Sequence, residues 1–279
     1  MRRALAFLIL LLSCNLIIAS DLLREQRYAQ EIKDGLVVGK ALNLKAGDQE
    51  FLAIHGESDN KKIKGGVILL HGMGANPAWS VVVQPLRMGL TEHGWETLSL
   101  QMPVAPRGAG LWAYTALIQE AAPRIATAVQ FFQQRKIAKI VIIGHSMGAR
   151  MGLESLAAGV PNGVIAFVAV GIPTNADKPD AGTLGALRKL KLPVLDLYGS
   201  RDLPSVLGNV KSRKIAARQA ENEGYRQVEI VGADHYFRGM DEALLARVNA
   251  WIGREAAQSE LVYKGGEEKG TSEPAQPTK

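Results

Sequence analysis

Apolar residues in this chain cluster with two different periods. The segments "LVVGKALNL" and "EFLAIHG" flank "KAGD", a turn signal, so residues 36–55 read as a β-hairpin. Six compact apolar runs follow: "GGVILLHG" (65–72), "WETLSLQMP" (95–103), "IVIIGH" (140–145), "GVIAFVAVGIP" (163–173), "LPVLDLYGS" (192–200) and "RQVEIVG" (226–232). Such runs predict strands buried on both faces. Between them the apolar period lengthens to that of a helix. One helix is expected to start near Pro77, and another spans 122–136 with Ile125, Val129 and Phe132 on one face. A third runs from Ala149 to Ala158 and stops at Gly159, with Pro161 beyond. A fourth covers 205–222, and a last one carries Leu244, Val248, Trp251 and Ile252.

Strands therefore alternate with helices from residue 65 onward. That order predicts an α/β fold: a mostly parallel, doubly wound sheet with an antiparallel hairpin at its N-terminal edge. The pattern fits one domain, residues 21–257, with 21–34 as a polar lead-in. Residues 258–279 lack periodicity and read as a disordered tail. No internal repeat is visible. The link between "GIP" and "LPVLDLYG" is about 20 residues, too short for a substantial lid domain.

The first 20 residues change the picture of where the protein works. Arg2 and Arg3 precede the apolar stretch "ALAFLILLLSCNLIIAS", which ends in Ala19 and Ser20. This is the plan of an export signal, so a periplasmic or secreted protein is expected. Cleavage after residue 20 removes two arginines and no acids, taking the formal charge from +6 to +4. The single cysteine, Cys14, lies in this segment, so the mature chain would have none. Two alternatives stand: "LLSC" loosely resembles a lipoprotein box that would lipidate Cys14, or the segment is retained as an anchor. Membrane contact is expected only through this segment. The remaining positive charge is dispersed, with no basic stripe interleaved with aromatics, which argues against a nucleic-acid partner.

The chemistry gathers in "VIIGHSMGAR" (141–150). A serine between a buried strand and a helix, with glycine two places before and after it, implies a very tight turn that exposes the Ser146 hydroxyl. Gly144 and Gly148 have no Cβ to collide there. The hydroxyl needs a base, and His235 in "VGADHYF" follows the last strand. The base needs an orienting acid, and Asp202 in "GSRD" follows the strand before that. Oxyanion donors are expected at the N–H groups of Met147, just after the serine, and of Met73, in the "HGMGAN" loop.

Together "GHSMG", "LLHGMG", "GSRD" and "GADH" resemble the α/β-hydrolase superfamily over residues 36–255, in particular its small, lidless, exported bacterial members. The resemblance implies hydrolysis of a carboxylic ester, thioester or amide of a small-molecule acyl substrate, with no metal or organic cofactor. A catalytically silent envelope protein that binds a partner, and a peptidase or acyltransferase using the same triad, are the alternatives. One departure is "RDLPSV", in which the proline stands closer to the acid than in many relatives, so the Asp202 loop is expected to have its own shape.

Other polar residues have plainer roles. His71 is expected to brace the oxyanion loop, His145 to line or support the pocket, and His55 and His93 to lie on the surface. Asp196, inside a strand, reads as a hydrogen-bonded structural carboxylate, and Asp234 should point away from His235. The five histidines lack ligand spacing, so no metal site is expected. "GMG" lacks the third glycine of a dinucleotide loop, and no G-K-[ST] is present. Met73, Trp79, Met102, Trp112 and Met147 either line an acyl pocket or pack in the core.

Overall fold

The structure is a computed structural model. It describes residues 20–270 other than Ala176, Lys178 and Pro179; the side chains of Trp112 and of 260–270 are also outside the description, as are residues 1–19 and 271–279. The export segment with Cys14 therefore lies almost wholly outside the described residues.

The chain order is α1 (Leu22–Gly35), β1 (Lys40–Ala46), β2 (Gln49–Gly56), β3 (Gly65–Leu70), α2 (Val83–Glu92), β4 (Trp95–Leu100), α3 (Leu111–Ala116) and α4 (Ile118–Gln134). It continues with β5 (Ile140–His145), α5 (Met147–Ala158), β6 (Val164–Val170), α6 (Gly182–Leu187), β7 (Val194–Arg201), α7 (Pro204–Leu207), α8 (Val210–Gln219), β8 (Tyr225–Asp234) and α9 (Asp241–Gly270). The strands form one sheet in the order β1-β2-β4-β3-β5-β6-β7-β8. From β4 to β8 every neighbouring pair is parallel, while β2 runs antiparallel to both β1 and β4. The expected mostly parallel sheet with an antiparallel edge hairpin is the observed one.

The apolar runs are continuous because both sheet faces are covered. Ile68, Leu70, Ile140 and Ile142 face α4, α5 and α6, whereas their neighbours Val67, Leu69, Val141 and Ile143 face α2 and α9. This one-up, one-down alternation along a uniformly apolar strand is what a two-sided burial demands. The predicted helical faces are the buried ones: Ile125, Val129 and Phe132 on α4, and Leu244, Val248, Trp251 and Ile252 on α9. The strand order reverses at β3, which has β4 on one side and β5 on the other. In sheets of this kind, sites form beyond the carboxyl ends of the strands at such a reversal.

Four boundaries differ from expectation. Residues 22–35 are helical, capped by the Asp21 carboxylate on the Arg24 N–H at 2.9 Å. The helix expected near Pro77 begins only at Val83. Asn76 Oδ1 accepts the Ala78 N–H, and the buried Ser99 hydroxyl donates to Pro77 O, so side chains hold this stretch as a turn. The 205–222 helix is two pieces, α7 and α8, broken at Gly208 and Asn209. The expected tail from 258 carries helical backbone as far as Gly270, in a stretch rich in helix-favouring Glu and Lys. Among the described residues no helix is long and apolar enough to cross a membrane.

Candidate active site

Ser146 stands where β5 gives way to α5, at φ 53° and ψ −122°. This is a costly conformation for a residue with a side chain. The surroundings force it. A Cβ on Gly144 would lie 2.4 Å from Ala149 Cα, and one on Gly148 would lie 2.3 Å from His71 O. Two neighbouring backbones occupy the space that side chains would need, so glycine at both positions is a packing requirement. The Ser146 N–H is held by Val170 O at 2.8 Å, which fixes the turn to the next strand.

The hydroxyl meets His235 Nε2 at 2.9 Å, and His235 Nδ1 meets Asp202 Oδ1 at 2.6 Å. A carboxylate only accepts, so Nδ1 carries the proton and Nε2 is left to accept from the serine. Asp202 is itself fixed: its Oδ1 also accepts the Leu203 N–H at 2.7 Å, and its Oδ2 lies 3.4 Å from the Gly199 N. Both Asp202 and His235 are buried. Pro204 opens α7 directly after this loop, so the displaced proline starts a helical turn. Three residues 33 to 89 positions apart in sequence thus form one hydrogen-bonded line at the carboxyl ends of β5, β7 and β8.

Gly171, just after β6, was not singled out by the sequence. A Cβ there would lie 3.1 Å from both Asp202 Oδ2 and His235 Nδ1, and its φ is +58°. The acid–imidazole pair packs against bare backbone. The only hint in the sequence is a glycine directly after a buried strand.

The loop after β3 lies against Ser146, since a Cβ on Gly72 would sit 3.1 Å from Ser146 Cβ. Among the described residues, the N–H groups of Met73 and Met147 have no hydrogen-bond acceptor. Met147 is the first residue of α5, where an N–H has no partner inside the helix. His71 braces this loop, as expected. Its Nδ1–H donates to Gly72 O at 2.9 Å, and its Nε2 accepts the Met102 N–H at 2.9 Å. The Gly72 carbonyl belongs to the same peptide unit as the Met73 N–H, so this bond sets the direction of that N–H. Burial lowers the His71 pKa from 6.5 to about 3 and keeps the ring neutral.

His145 is buried beneath His235, and its Nε2–H donates to the His235 carbonyl at 2.9 Å. It supports the loop rather than lining a pocket. Burial, and then the His235 ring, bring its pKa to about 4. Asp234 turns away, accepting the N–H groups of Tyr236 and Arg238. Asp196 is the structural carboxylate expected: one oxygen accepts from Arg213 Nε (2.7 Å), the Tyr225 hydroxyl (2.6 Å) and Gln227 Nε2 (2.9 Å). His93 is exposed. His55, expected at the surface, is buried and bonded to Glu96 at 2.9 Å; it lies on β2, one of the strands that β4 covers by pairing.

A cleft of about 670 Å³ opens between α3, α5 and the segment after β6, with Leu111, Thr115, Arg150, Pro173 and Thr183 in its walls. Arg150 is one helical turn from Ser146. Of the five candidates for an acyl pocket, Met102 and Met147 pack in the core, Trp79 packs partly buried against the α2–α9 layer, and Met73 is half exposed. The Trp112 side chain lies outside the described residues.

A family model described as "Protein of unknown function (DUF3530)" matches residues 20–116 and 111–254. No curated protein matches the chain. Among solved structures, the chain is similar to an esterase from Pyrococcus furiosus, with 18% identity, a TM-score of 0.63, and coverage of 80% of this chain and 95% of that one. It is also similar to Est1E from Butyrivibrio proteoclasticus, at 15% identity, TM-score 0.59, and coverage of 78% and 99%. A dienelactone hydrolase from Anabaena variabilis gives 21%, 0.62, and 77% and 96%. At these identities the likeness concerns the fold, which is that of the α/β-hydrolases.

Proposed function

The chain belongs to the DUF3530 family and has the α/β-hydrolase fold, and from that premise we propose that it is a serine hydrolase cleaving carboxylic esters or thioesters. The observation that carries this reading is the continuous line Ser146–His235–Asp202, with contacts of 2.9 and 2.6 Å. The names of the structural neighbours, two esterases and a dienelactone hydrolase, agree with the ester class.

In this mechanism Ser146 Oγ attacks the acyl carbon as its proton passes to His235 Nε2. Asp202 holds the ring in the tautomer that makes this possible and stabilises the imidazolium. The N–H groups of Met73 and Met147 take up the negative charge on the former carbonyl oxygen. His235 then protonates the leaving alcohol or thiol, and the acyl group stays on Ser146. Water, deprotonated by the same ring, releases the acid and restores the serine. The 23 residues between β6 and β7 are too few for a substantial lid domain, and among the described ones α6 is the one helix, so small, soluble acyl compounds suit this site better than aggregated lipid.

The same proposal places the enzyme outside the cytoplasm, released after a cut following residue 20. Asp21, the first residue left by that cut, already caps α1, and its N–H donates to Val104 O at 2.7 Å. The mass of the mature N-terminus tests the cut. A fluorophosphonate probe tests the chemistry: wild type labels, Ser146→Ala does not, and His235→Ala labels very slowly. An unlabelled wild type, beside a control esterase that labels, would instead favour a silent binding protein.

A further inference from the structure

We propose that Arg24 and Tyr28, on the N-terminal helix α1, are positioning residues for the oxyanion loop after β3; the proposal rests on the serine-hydrolase reading above. The loop needs outside anchors. The Met73 side chain is half exposed and gives it no grip, and Gly74 is in the left-handed region at φ +71°. Upstream of Met73 the peptide is held by His71 through Gly72 O. Downstream, the next carbonyl but one, Gly74 O, accepts two bonds from α1: the Tyr28 hydroxyl at 2.9 Å and Arg24 Nη2 at 3.1 Å.

These donors are themselves locked together. Arg24 donates through Nε and Nη2 to the Tyr28 oxygen at 3.0 and 2.9 Å, which leaves the hydroxyl proton for Gly74. Arg24 Nη1 donates to Ala105 O at 2.9 Å, tying the loop after β3 to the segment after β4. The helix is pinned beneath by Glu25, whose carboxylate takes Arg124 Nη1 at 2.8 Å and the Val104 N–H at 3.2 Å. The Met73 N–H is therefore fixed from both sides, by His71 before it and by the Arg24–Tyr28 pair after it. Neither residue touches the reacting atoms. They act through the backbone of residues 72–74, on charge that develops during the reaction.

The test uses the full mature chain with Tyr28→Phe, which keeps the ring and removes the hydroxyl, and Arg24→Lys, which keeps the charge and removes the fork. A p-nitrophenyl ester is the substrate, and kcat is divided by the number of Ser146 sites titrated with fluorophosphonate. The expected result is a fall in kcat per site of about 10-fold, part of the loss seen when a donor is removed outright, with KM within about twofold of wild type. The pH midpoint of kcat stays in place, because the His235–Asp202 pair is untouched. A purely structural role would lower the melting temperature or the titratable fraction and leave kcat per site at the wild-type value, and that result overturns the proposal. Ser146→Ala separates the two levels. If it hydrolyses the ester as wild type does, the serine-hydrolase reading falls and takes this inference with it. If it is inactive while both variants match wild type per site, the inference fails alone. Should Tyr28→Phe not fold, Arg24→Lys decides.

Discussion

Acid should loosen this fold through His71 before it touches most carboxylates. The ring is buried and neutral, with a folded-state pKa of about 3 against 6.5 for the exposed residue. Above pH 6.5 neither the folded nor the unfolded chain protonates it, and it makes no pH-dependent contribution. Below 6.5 the unfolded chain gains a proton that the folded chain refuses, so stability falls as the pH falls. The slope approaches about 1.4 kcal/mol per pH unit and ends near pH 3, where the folded ring also titrates. Between pH 7 and pH 5 the loss is about 2 kcal/mol from His71 alone. His145, with its pKa near 4, loses about as much over the same interval. Urea unfolding of wild type and His71→Gln at pH 7, 6 and 5 isolates the first contribution. Whatever its absolute stability, the variant should lose about 2 kcal/mol less than wild type across that range. Equal losses in the two proteins would mean that His71 takes up its proton while folded, and the account of a neutral ring holding Gly72 O would be wrong.

Three further outcomes follow from the contacts. Asp202→Asn should lower kcat on a model ester by about 10⁴-fold, because an amide can stabilise the wrong imidazole tautomer; unfolding curves should show a protein that still folds. Gly148→Ala places a methyl group 2.3 Å from His71 O and 2.5 Å from Leu70 O, both backbone atoms, and should cost about 1–3 kcal/mol in urea unfolding. Arg213→Met strands the Asp196 carboxylate in the core and should cost about 3–5 kcal/mol, part of which Asp196→Asn in the same chain should recover.

The alternation of apolar runs was enough to read the sheet, because each central strand is covered on both faces and shows it residue by residue. Ser146, His235 and Asp202 were legible for a related reason: strand ends followed by glycine-bearing turns mark where side chains leave the sheet. Helix α1 was not legible. Its buried residues are only Glu25 and Ile32; its apolar contact is the short run Ala29, Ile32 and Leu36 against Leu52 and Ile54, and the rest of its attachment runs through Arg24, Glu25 and Tyr28, so the apolar stripe is too short to announce it. His55 was misplaced because its partner, Glu96, lies 41 residues away across a strand pairing that local pattern does not reveal. Met102 and Met147 have the composition of a pocket wall and the burial of a core, and only their neighbours distinguish the two.

The cleft and the Ser146–His235–Asp202 line meet at α5, which gives Arg150 to the cleft walls, but otherwise draw on different stretches of chain. Ser146, Asp202 and His235 hang from the ends of β5, β7 and β8, packed against the backbone at Gly171. Leu111, Thr115, Pro173 and Thr183 come from α3 and from the chain between β6 and the start of α6. On the hydrolase reading, the cleft can therefore be reshaped at Leu111, Thr115, Pro173 and Thr183 while Ser146, Asp202, His235 and the Gly171 backbone they rest on are left unchanged. A library confined to those cleft positions is the economical way to retarget this scaffold to a new acid or alcohol.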